Sequence, residues 1–441
     1  MQLYEYQKKG VSFLKSRQRA LLFDDMGLGK TVQAIKAADY DYPILVVCPA
    51  FLRFNWESEL KLWGYPHPVS IIKKKKEFRL PVGKEAVIIS YAMLPLSSSL
   101  NKLLADAYTD TSSDERKVTL IADEAHAVKN YKAKRTRNFR ALAQRVISLD
   151  GVVWAMTGTP LMNKPDELWG LLKSIDLNKE SYRTWENFVR LFRGYKNQWN
   201  GWDWGTPHPS AANGLKRVAL GRRKRDVLPD LPAKTRGKIE VDISKPVRKM
   251  CDDMLSELQA HGVDIRDLAA SQLKQKLKIE FENIAKIREA VARGKIPAML
   301  DWIGAFEELG LPLVVFGQHR AAIEAIESRK GWGVITGSTP ASRRNEYIKQ
   351  FQNGELKGIA GTIGAMGTGV TLTKASHMLF VDLSWVPGDN LQAEDRICRI
   401  GQKFPCNYYV LTAKHPMDTL VIDALMSKMS IINNSVGLAY A

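Results

Sequence analysis

The stretch Asp24-Asp25-Met26-Gly27-Leu28-Gly29-Lys30-Thr31-Val32-Gln33 limits what this chain can fold into more than any other part of it. Ala20 to Phe23, just ahead, is short and apolar and reads as a buried strand; Val32 to Ala38, just behind, has helical spacing. Strand, glycine-containing turn and helix in that order make a phosphate cradle. The glycines let backbone N–H groups close on an anion, and the helix N-terminus adds positive potential. Lys30 is then placed to reach the β- and γ-phosphates of a nucleotide, and Thr31 to offer its hydroxyl to Mg²⁺. The strict pattern starts with glycine where this chain has Asp24. Asp123-Glu124-Ala125-His126, about a domain's width downstream, strengthens the reading.

With 441 residues the chain has room for two or three domains. Its 45% hydrophobic and 25% charged content is that of a globular protein, which excludes a disordered tail protein. No apolar run reaches the roughly 18 residues of a membrane span, and Met1 to Gly10 lacks an apolar signal core. Cys48, Cys251, Cys398 and Cys406 are scattered, match no zinc spacing, and read as free thiols in a reducing compartment. The expected setting is therefore cytoplasmic and not secreted. The net charge of +18 favours a polyanionic partner, nucleic acid first, over an anionic membrane, because no basic amphipathic helix stands out.

The opening helix, Leu3 to Leu14, puts Tyr6, Gly10, Phe13 and Leu14 on one face. Gln7 lies on it as a candidate reader of an adenine edge, since one amide both donates and accepts. Between Pro43 and Asp150, apolar runs at Ile44 to Cys48, Ala86 to Ser90 and Val118 to Ala122 alternate with helical stretches at Arg53 to Trp63 and Thr136 to Ser148. This predicts an α/β fold with a parallel sheet covered on both faces and ligands at the carboxyl ends of its strands. The loop after Phe23, Pro49-Ala50, Asp123-Glu124 and Thr157-Gly158-Thr159-Pro160 all fall there. Asp123 and Glu124 point different ways from a strand end, so one can hold Mg²⁺ while the other faces an attacking water.

Trp154, Trp169, Trp185, Trp199, Trp202 and Trp204 crowd one region, which reads as a small aromatic core rather than a base-stacking platform. Arg222-Arg223-Lys224-Arg225 and Lys73 to Lys76 read as solvated basic runs. Pro229 and Pro232 mark an extended connector. Ser244 to Arg293 is helical, polar and basic, and a second alternating unit starts near Leu311 without a phosphate loop of its own. It carries the Gly364 to Thr373 loop and then Gln392 to Gln402, where the three-residue spacing of Arg396 and Arg399 puts both on one helix face.

Taken in order, Gln7 with Gly10-Val11, the Asp24 to Gln33 loop, Cys48-Pro49-Ala50, Asp123 to His126 with Lys129-Asn130, Thr157 to Pro160 with Asn163, Arg222 to Pro232, Gly337-Ser338-Thr339, Gly364 to Thr373 and Asp395-Arg396 with Arg399-Ile400-Gly401-Gln402 resemble the Swi/Snf family of superfamily-two DNA translocases across nearly the whole chain. Asp123 to Asn130 and Gly201-Trp202-Asp203 look most like the branch of annealing helicases and fork remodellers, whereas Cys398 departs from the more usual histidine. The resemblance implies two RecA-like parallel-sheet lobes. The first spans 1–235, with a helical, Trp-rich insertion at about 165–235; a helical connecting segment spans 236–305; the second lobe spans 306–441. It implies a bare motor of bacterial or viral type, a monomer, acting on double-stranded or branched DNA in repair or replication, with ATP and Mg²⁺ as cofactors.

By the same resemblance, nucleotide contacts fall to Gln7, Asp25, Met26, Gly27, Leu28, Gly29, Lys30, Thr31 and Gln402. Mg²⁺ falls to Thr31 and Asp123, water handling to Asp123 and Glu124, and transition-state charge to Arg396 and Arg399. Coupling of DNA to the ATP site falls to Thr157, Thr159, Gly367, Gly369, Thr371 and Thr373. The expected function is an ATP-dependent motor that translocates on duplex DNA and remodels or rewinds junctions without processive strand separation. The alternative is a strand-separating DNA or RNA helicase.

Overall fold

Alternate residues of the strand Ile44–Cys48 enter different cores: Leu45 and Val47 pack on one face of a sheet, and Ile44, Val46 and Cys48 on the other. A strand covered on both sides has no polar face to offer, which is why its sequence is an unbroken apolar run. The computed structural model describes residues 2–100, 117–158, 164–197, 201–229, 232–260, 278–367, 370–423 and 425. The chain forms two compact units and passes from the first to the second after Pro229.

The first unit holds β1 (Arg19–Leu22), β2 (Ile44–Cys48), β3 (Val69–Ile71), β4 (Ala86–Ser90), β5 (Thr119–Ala122), β6 (Val152–Met156) and, beyond the short β7 (Gly194–Lys196) and β8 (Trp202–Trp204) of a small hairpin whose Lys196–Asp203 stretch falls to the second unit, β9 (Ala219–Leu220). The seven-stranded sheet has the order β3-β4-β2-β5-β6-β1-β9 and every pairing is parallel. The loops after β1, β2, β5 and β6 therefore gather at the sheet's carboxyl edge, and they carry Asp24 to Gly29, Pro49, Asp123-Glu124 and Thr157. The pairing continues past the strand ends, with Asp25 N–H on the Arg222 carbonyl at 2.9 Å and Thr157 N–H on that of Leu22 at 3.1 Å.

The second unit holds β10 (Lys234–Val241), β11 (Leu313–Gly317), β12 (Trp332–Ile335), β13 (Gly358–Thr362), β14 (His377–Phe380) and β15 (Cys406–Ala413), all parallel, in the order β10-β15-β14-β11-β13-β12. Val314 and Phe316 face one core, Leu313 and Val315 the other. The segment 236–305 was expected to be a helical connector. Its start is β10, which pairs with β15 from Lys234–Cys406 to Val241–Ala413, and helices occupy Lys245–Ala260, Lys278–Gly294 and Ile296–Glu308. The mixed polarity of β10, with exposed alternate residues at a sheet edge, hid it from a search for apolar runs.

The aromatic cluster is a core. Trp169, Trp185, Phe188, Phe192, Trp204 and Tyr182 pack ring against ring with centroids 4.3–6.5 Å apart, and Phe188 and Phe192 are fully buried. Trp154 is not part of it: it lies in β6 and its indole N–H donates to the Arg17 carbonyl. Trp199 lies outside the described residues. No helix among the described residues is long and apolar enough to cross a membrane.

The helix Pro165–Ser174 carries this aromatic region and packs on the turn that follows the acidic pair. At Gly170 a β-carbon would lie 2.0 Å from the Lys129 carbonyl oxygen. Gly170→Ala is expected to destabilise the first unit by about 1–3 kcal/mol, the usual range for overpacking, seen as a lowered melting temperature; an unchanged melting curve would show that this helix is free to shift.

Candidate active site

The phosphate loop turns on Gly27 and Gly29, with φ of +85° and +73°, a region that side-chain-bearing residues rarely adopt. The helix Lys30–Ala37 opens directly after Gly29, so its first N–H groups face the loop. Lys30 Nζ reaches back to the Asp24 carbonyl at 2.7 Å and the Asp25 carbonyl at 3.3 Å, across the mouth of the cradle. A strongly charged ammonium held by two neutral carbonyls over a ring of backbone donors fits a phosphate group. Met26 and Leu28 turn their side chains into the core, so what they bring to a nucleotide is backbone. Gln7 is buried against the loop; its amide accepts from Tyr4 N–H at 3.0 Å and donates to the Leu28 carbonyl at 3.2 Å.

Asp24 has a purpose that the glycine pattern conceals. It is fully buried, and its carboxylate accepts from Arg222 Nε at 2.8 Å, Arg222 Nη2 at 2.5 Å and Gln33 Nε2 at 3.0 Å. Gln33 Oε1 accepts from Arg222 Nη2 at 2.7 Å, and Arg222 also donates to the Tyr6 carbonyl. The helix Glu5–Lys15 passes so close that a β-carbon at Gly10 would lie 1.8 Å from Gln33 Oε1. Arg222 and Lys224, expected to be solvated, are buried; the exposed run is Lys73 to Lys76. A basic run gives no hint that one member has a buried carboxylate waiting 198 residues earlier in the chain. Asp25 faces the same segment: its Oδ2 accepts from Lys224 N–H at 2.9 Å. Its side chain thus serves the loop's anchorage.

Asp123 and Glu124 end β5 differently. Asp123 Oδ2 accepts from the Trp56 indole at 2.8 Å, and Oδ1 from Glu124 N–H at 2.9 Å. Burial, then the neighbouring Glu124 charge, pushes the Asp123 carboxyl up to about 6, against the Trp56 hydrogen bond and the Lys30 charge, which hold it down. Glu124 adopts a left-handed backbone, φ 49°, and starts the tight turn Ala125–Val128. Such a conformation costs about 1–3 kcal/mol and persists where the surroundings impose it. Glu124 Oε2 lies 3.3 Å from His126 Nδ1, which is also 3.3 Å from Thr157 Oγ1. A polar chain thus runs from the acidic pair to the loop after β6. Trp56 and Tyr91, whose hydroxyl donates to the Asp123 carbonyl at 2.9 Å, carry no recognisable sequence signal for these roles. Thr31, in the first helical turn, and Asp123 are the groups present that fit a Mg²⁺ ion beside the phosphates.

In the second unit the helix Pro387–Glu394 stops before either arginine, so Arg396 and Arg399 do not share a helix face. Both lie in the turn beyond it, closed by Arg396 N–H on the Ala393 carbonyl and Gln402 N–H on that of Arg399. Arg396 is 1% exposed, and its guanidinium donates to the carbonyls of Gly367, Gln392 and Val370. It braces the Gly364 to Thr373 loop from inside. Arg399 is only partly buried, with Nη1 on Thr371 Oγ1 at 3.0 Å and Nε on the Asp395 carbonyl at 3.0 Å. Gln402, expected at the nucleotide, donates to the carbonyls of Thr373, Ala375 and Ile397 and accepts from Lys403 and Phe404 N–H groups. Thr373 Oγ1 accepts from Gln352 at 3.3 Å. Thr159 and Gly369 lie outside the described residues.

A nucleotide-type loop and a carboxylate pair at the carboxyl edge of one parallel sheet, followed in the chain by a second parallel α/β unit, are the fold plan of the helicase-type nucleotide-binding proteins. The chain belongs to the SNF2-related family: the SNF2-related domain matches residues 6–291 and the Helicase conserved C-terminal domain matches residues 295–401. It is 28% identical to the Bos taurus "DNA annealing helicase and endonuclease ZRANB3" over 98% of this chain and 40% of that one. It is 30% identical to the Caenorhabditis elegans homolog of "SWI/SNF-related matrix-associated actin-dependent regulator of chromatin subfamily A-like protein 1" over 98% of this chain and 61% of that one. The chain thus spans less than two thirds of either relative. Among solved structures, the "Sulfolobus solfataricus SWI2/SNF2 ATPase core in complex with dsDNA" is 22% identical over 99% of this chain and 94% of that one, with a TM-score of 0.42.

The raised Asp123 carboxyl sets a pH dependence. Because its folded value lies above the unfolded one, the folded state holds the extra proton between about 4 and about 6, and this group's contribution to stability falls as pH rises through that window. Mg²⁺ needs the ionised form, so Mg²⁺-dependent nucleotide binding is expected to weaken as pH falls through about 6. Trp56→Phe removes the bond that holds the carboxyl down and is expected to move that acid limb to higher pH, measured by titrating nucleotide affinity with and without Mg²⁺. An unmoved limb would separate Asp123 from the metal.

Proposed function

We propose that this chain is an ATP-driven motor that binds and translocates on double-stranded DNA, rewinding or remodelling junctions without processive strand separation. The observation that carries the reading is the pairing of a loop built for phosphate with Asp123 and Glu124 at the same sheet edge, in a chain of the SNF2-related family. Lys30 and the loop N–H groups hold the β- and γ-phosphates. Asp123 and Thr31 would hold Mg²⁺, which would supply charge neutralisation at the phosphates. Glu124 orients the attacking water, and Arg399 takes developing charge on the transferred group. Arg396 acts as a positioning residue, since its donors are turned onto backbone carbonyls.

The DNA part rests on the net charge of +18 and on the relatives, one of which is named a DNA annealing helicase. A motor that grips the phosphates of an intact duplex can push off a third strand without breaking base pairs, whereas unwinding costs about 1.4 kcal/mol of stacking per step. The likeness of Asp123 to Asn130 and Gly201-Trp202-Asp203 to the annealing branch supports the rewinding part.

ATP turnover is expected to be slow alone and stimulated by duplex DNA, because positioning supplies most of phosphoryl-transfer catalysis and the catalytic groups are spread over two units. Glu124→Gln should bind ATP and lose turnover, while Lys30→Ala should lose affinity as well; a Glu124→Gln protein with near-normal turnover would remove that residue from the chemistry.

DNA affinity should be independent of sequence and, for about six neutralised phosphates, should fall with log salt at a slope near −5. Triplex displacement and strand separation, assayed with the same protein and ATP, decide the mode of motion. Displacement of the third strand is the expected result, and efficient separation of a tailed duplex without it would establish the strand-separating alternative.

A further inference from the structure

The helix Lys134–Ser148 of the first unit carries its charges against the usual arrangement. Lys134, Arg135 and Arg137 open it, no acidic residue stands in its first turn, and Ala133 caps it without a side-chain hydrogen bond. Cations in a first turn oppose the helix dipole. The neighbouring helix Pro165–Ser174 follows the ordinary pattern, with Asp166 and Glu167 in its first turn and Lys173 in its last. From Tyr131 to Leu149 the sequence holds Lys132, Lys134, Arg135, Arg137, Arg140 and Arg145 and neither Asp nor Glu. Among the described residues none of these six forms an ion pair with a carboxylate. The acids at the borders of the run are taken by other lysines, Glu167 by Lys129 at 2.9 Å and Asp150 by Lys117 at 3.2 Å.

Helical spacing puts Lys134, Arg137 and Arg145 on one face, and all three are exposed, while Phe139, Leu142, Ala143 and Val146 on the other fill the core of the first unit. Like charges three and four positions apart repel, so this face makes the helix less stable than interspersed carboxylates would. No basic amphipathic helix was expected in this chain; this is one, and its apolar side is occupied by the core, which leaves nothing to insert into a membrane. Two more exposed cations extend the face: Tyr131 is 42% exposed, with Lys132 Nζ 5.8 Å and Lys173 Nζ 6.0 Å from its ring centroid.

The helix begins beyond the turn Ala125–Val128 at the carboxyl edge and ends ahead of β6, so Arg145 stands toward the amino edge of the sheet, away from the phosphate loop. Lys134 to Arg145 covers about 16 Å at 1.5 Å per residue, the axial length of about five phosphates on one strand of a duplex. The exposed face offers no large apolar anchor of the kind that protein partners use. A phosphate backbone needs charge alone.

We propose that this face, with Lys132 and Lys173 around Tyr131, is a track for the phosphate backbone of one arm of a branched duplex, separate from the nucleotide edge. It rests on the reading of the chain as a DNA motor and names a second place where that DNA is held. A linear duplex engages the motor without it; a fork or junction lays its further arm along it.

The test compares a forked with a linear duplex of equal length, using the full chain and the triple variant Lys134→Gln, Arg137→Gln, Arg145→Gln. The variant is expected to keep its melting temperature and ATP affinity. Its salt slope on the fork should be shallower by about 2.7, from about 0.9 per phosphate contact, and on the linear duplex should change by less than about 0.9. The charge-preserving set Lys134→Arg, Arg137→Lys, Arg145→Lys should keep the unmodified slope on both.

Lysine acylation read by mass spectrometry gives a direct second readout. Lys132, Lys134 and Lys173 should be protected by the fork and not by poly-glutamate at the same charge concentration. A chain that shows this protection but turns over no ATP with any DNA would sink the motor reading and leave the track standing. An unmodified fork slope in the triple variant, an equal loss on both DNAs, or protection by poly-glutamate without protection by the fork would overturn the track.

Discussion

The buried contact between Arg222 and Asp24 is the constraint on which the carboxyl edge of the first unit's sheet depends. A carboxylate with no exposed surface needs donors from the protein, and here a guanidinium meets it with two while Gln33 supplies a third. Removing one member of such a pair leaves an uncompensated buried charge, which costs about 3–5 kcal/mol. The network joins three stretches far apart in sequence: the opening helix through Tyr6 and Gly10, the phosphate loop, and the segment that leaves the unit. The loop therefore owes its shape to more than its glycines. Gly27 and Gly29 permit the turn, and the ion pair fixes where the turn stands on the sheet.

The acidic pair shows the same economy of position. Trp56 comes from the helix after β2, and its single N–H opposes the upward push of burial on the Asp123 carboxyl. The left-handed turn at Glu124 breaks the strand's alternation and brings the second carboxylate beside His126, which touches Thr157. Two adjacent residues thereby acquire different surroundings, which is what different roles require. The Pro165–Ser174 helix holds the turn from behind, so the aromatic core, though distant from any phosphate, has a part in placing the acids.

In the second unit the arginines divide their work. Arg396 is committed to the carbonyls of Gly367 and Val370, and Gln402 to those of Thr373 and Ala375, so the turn is bonded to the segment before it at four points. Arg399, bonded to the Thr371 hydroxyl and a backbone carbonyl, is the member left near the surface. A contact between Arg399 and Thr371 makes the loop's position felt at the arginine directly.

The alternation of apolar runs with helical stretches determined the α/β class, and the strands Ile44–Cys48 and Ala86–Ser90 were legible to the residue, because strands buried on both faces leave an uninterrupted apolar run. The phosphate loop and the Asp123-Glu124 pair were legible too, since their chemistry needs fixed residue types at short spacing. The edge strand β10, the end of the helix before Arg396, the burial of Arg222 and the indole on Asp123 were decided only by the tertiary structure. Each depends on a partner remote in the chain: β15 for β10, the carbonyls of Gly367 and Val370 for Arg396, Asp24 for Arg222, β5 for Trp56. A basic run reads as solvated because most are, and only the fold supplies a buried carboxylate that makes burial of one arginine favourable. Local chemistry named the candidate groups, and long-range packing decided which neighbours hold them at the carboxyl edge of the sheet.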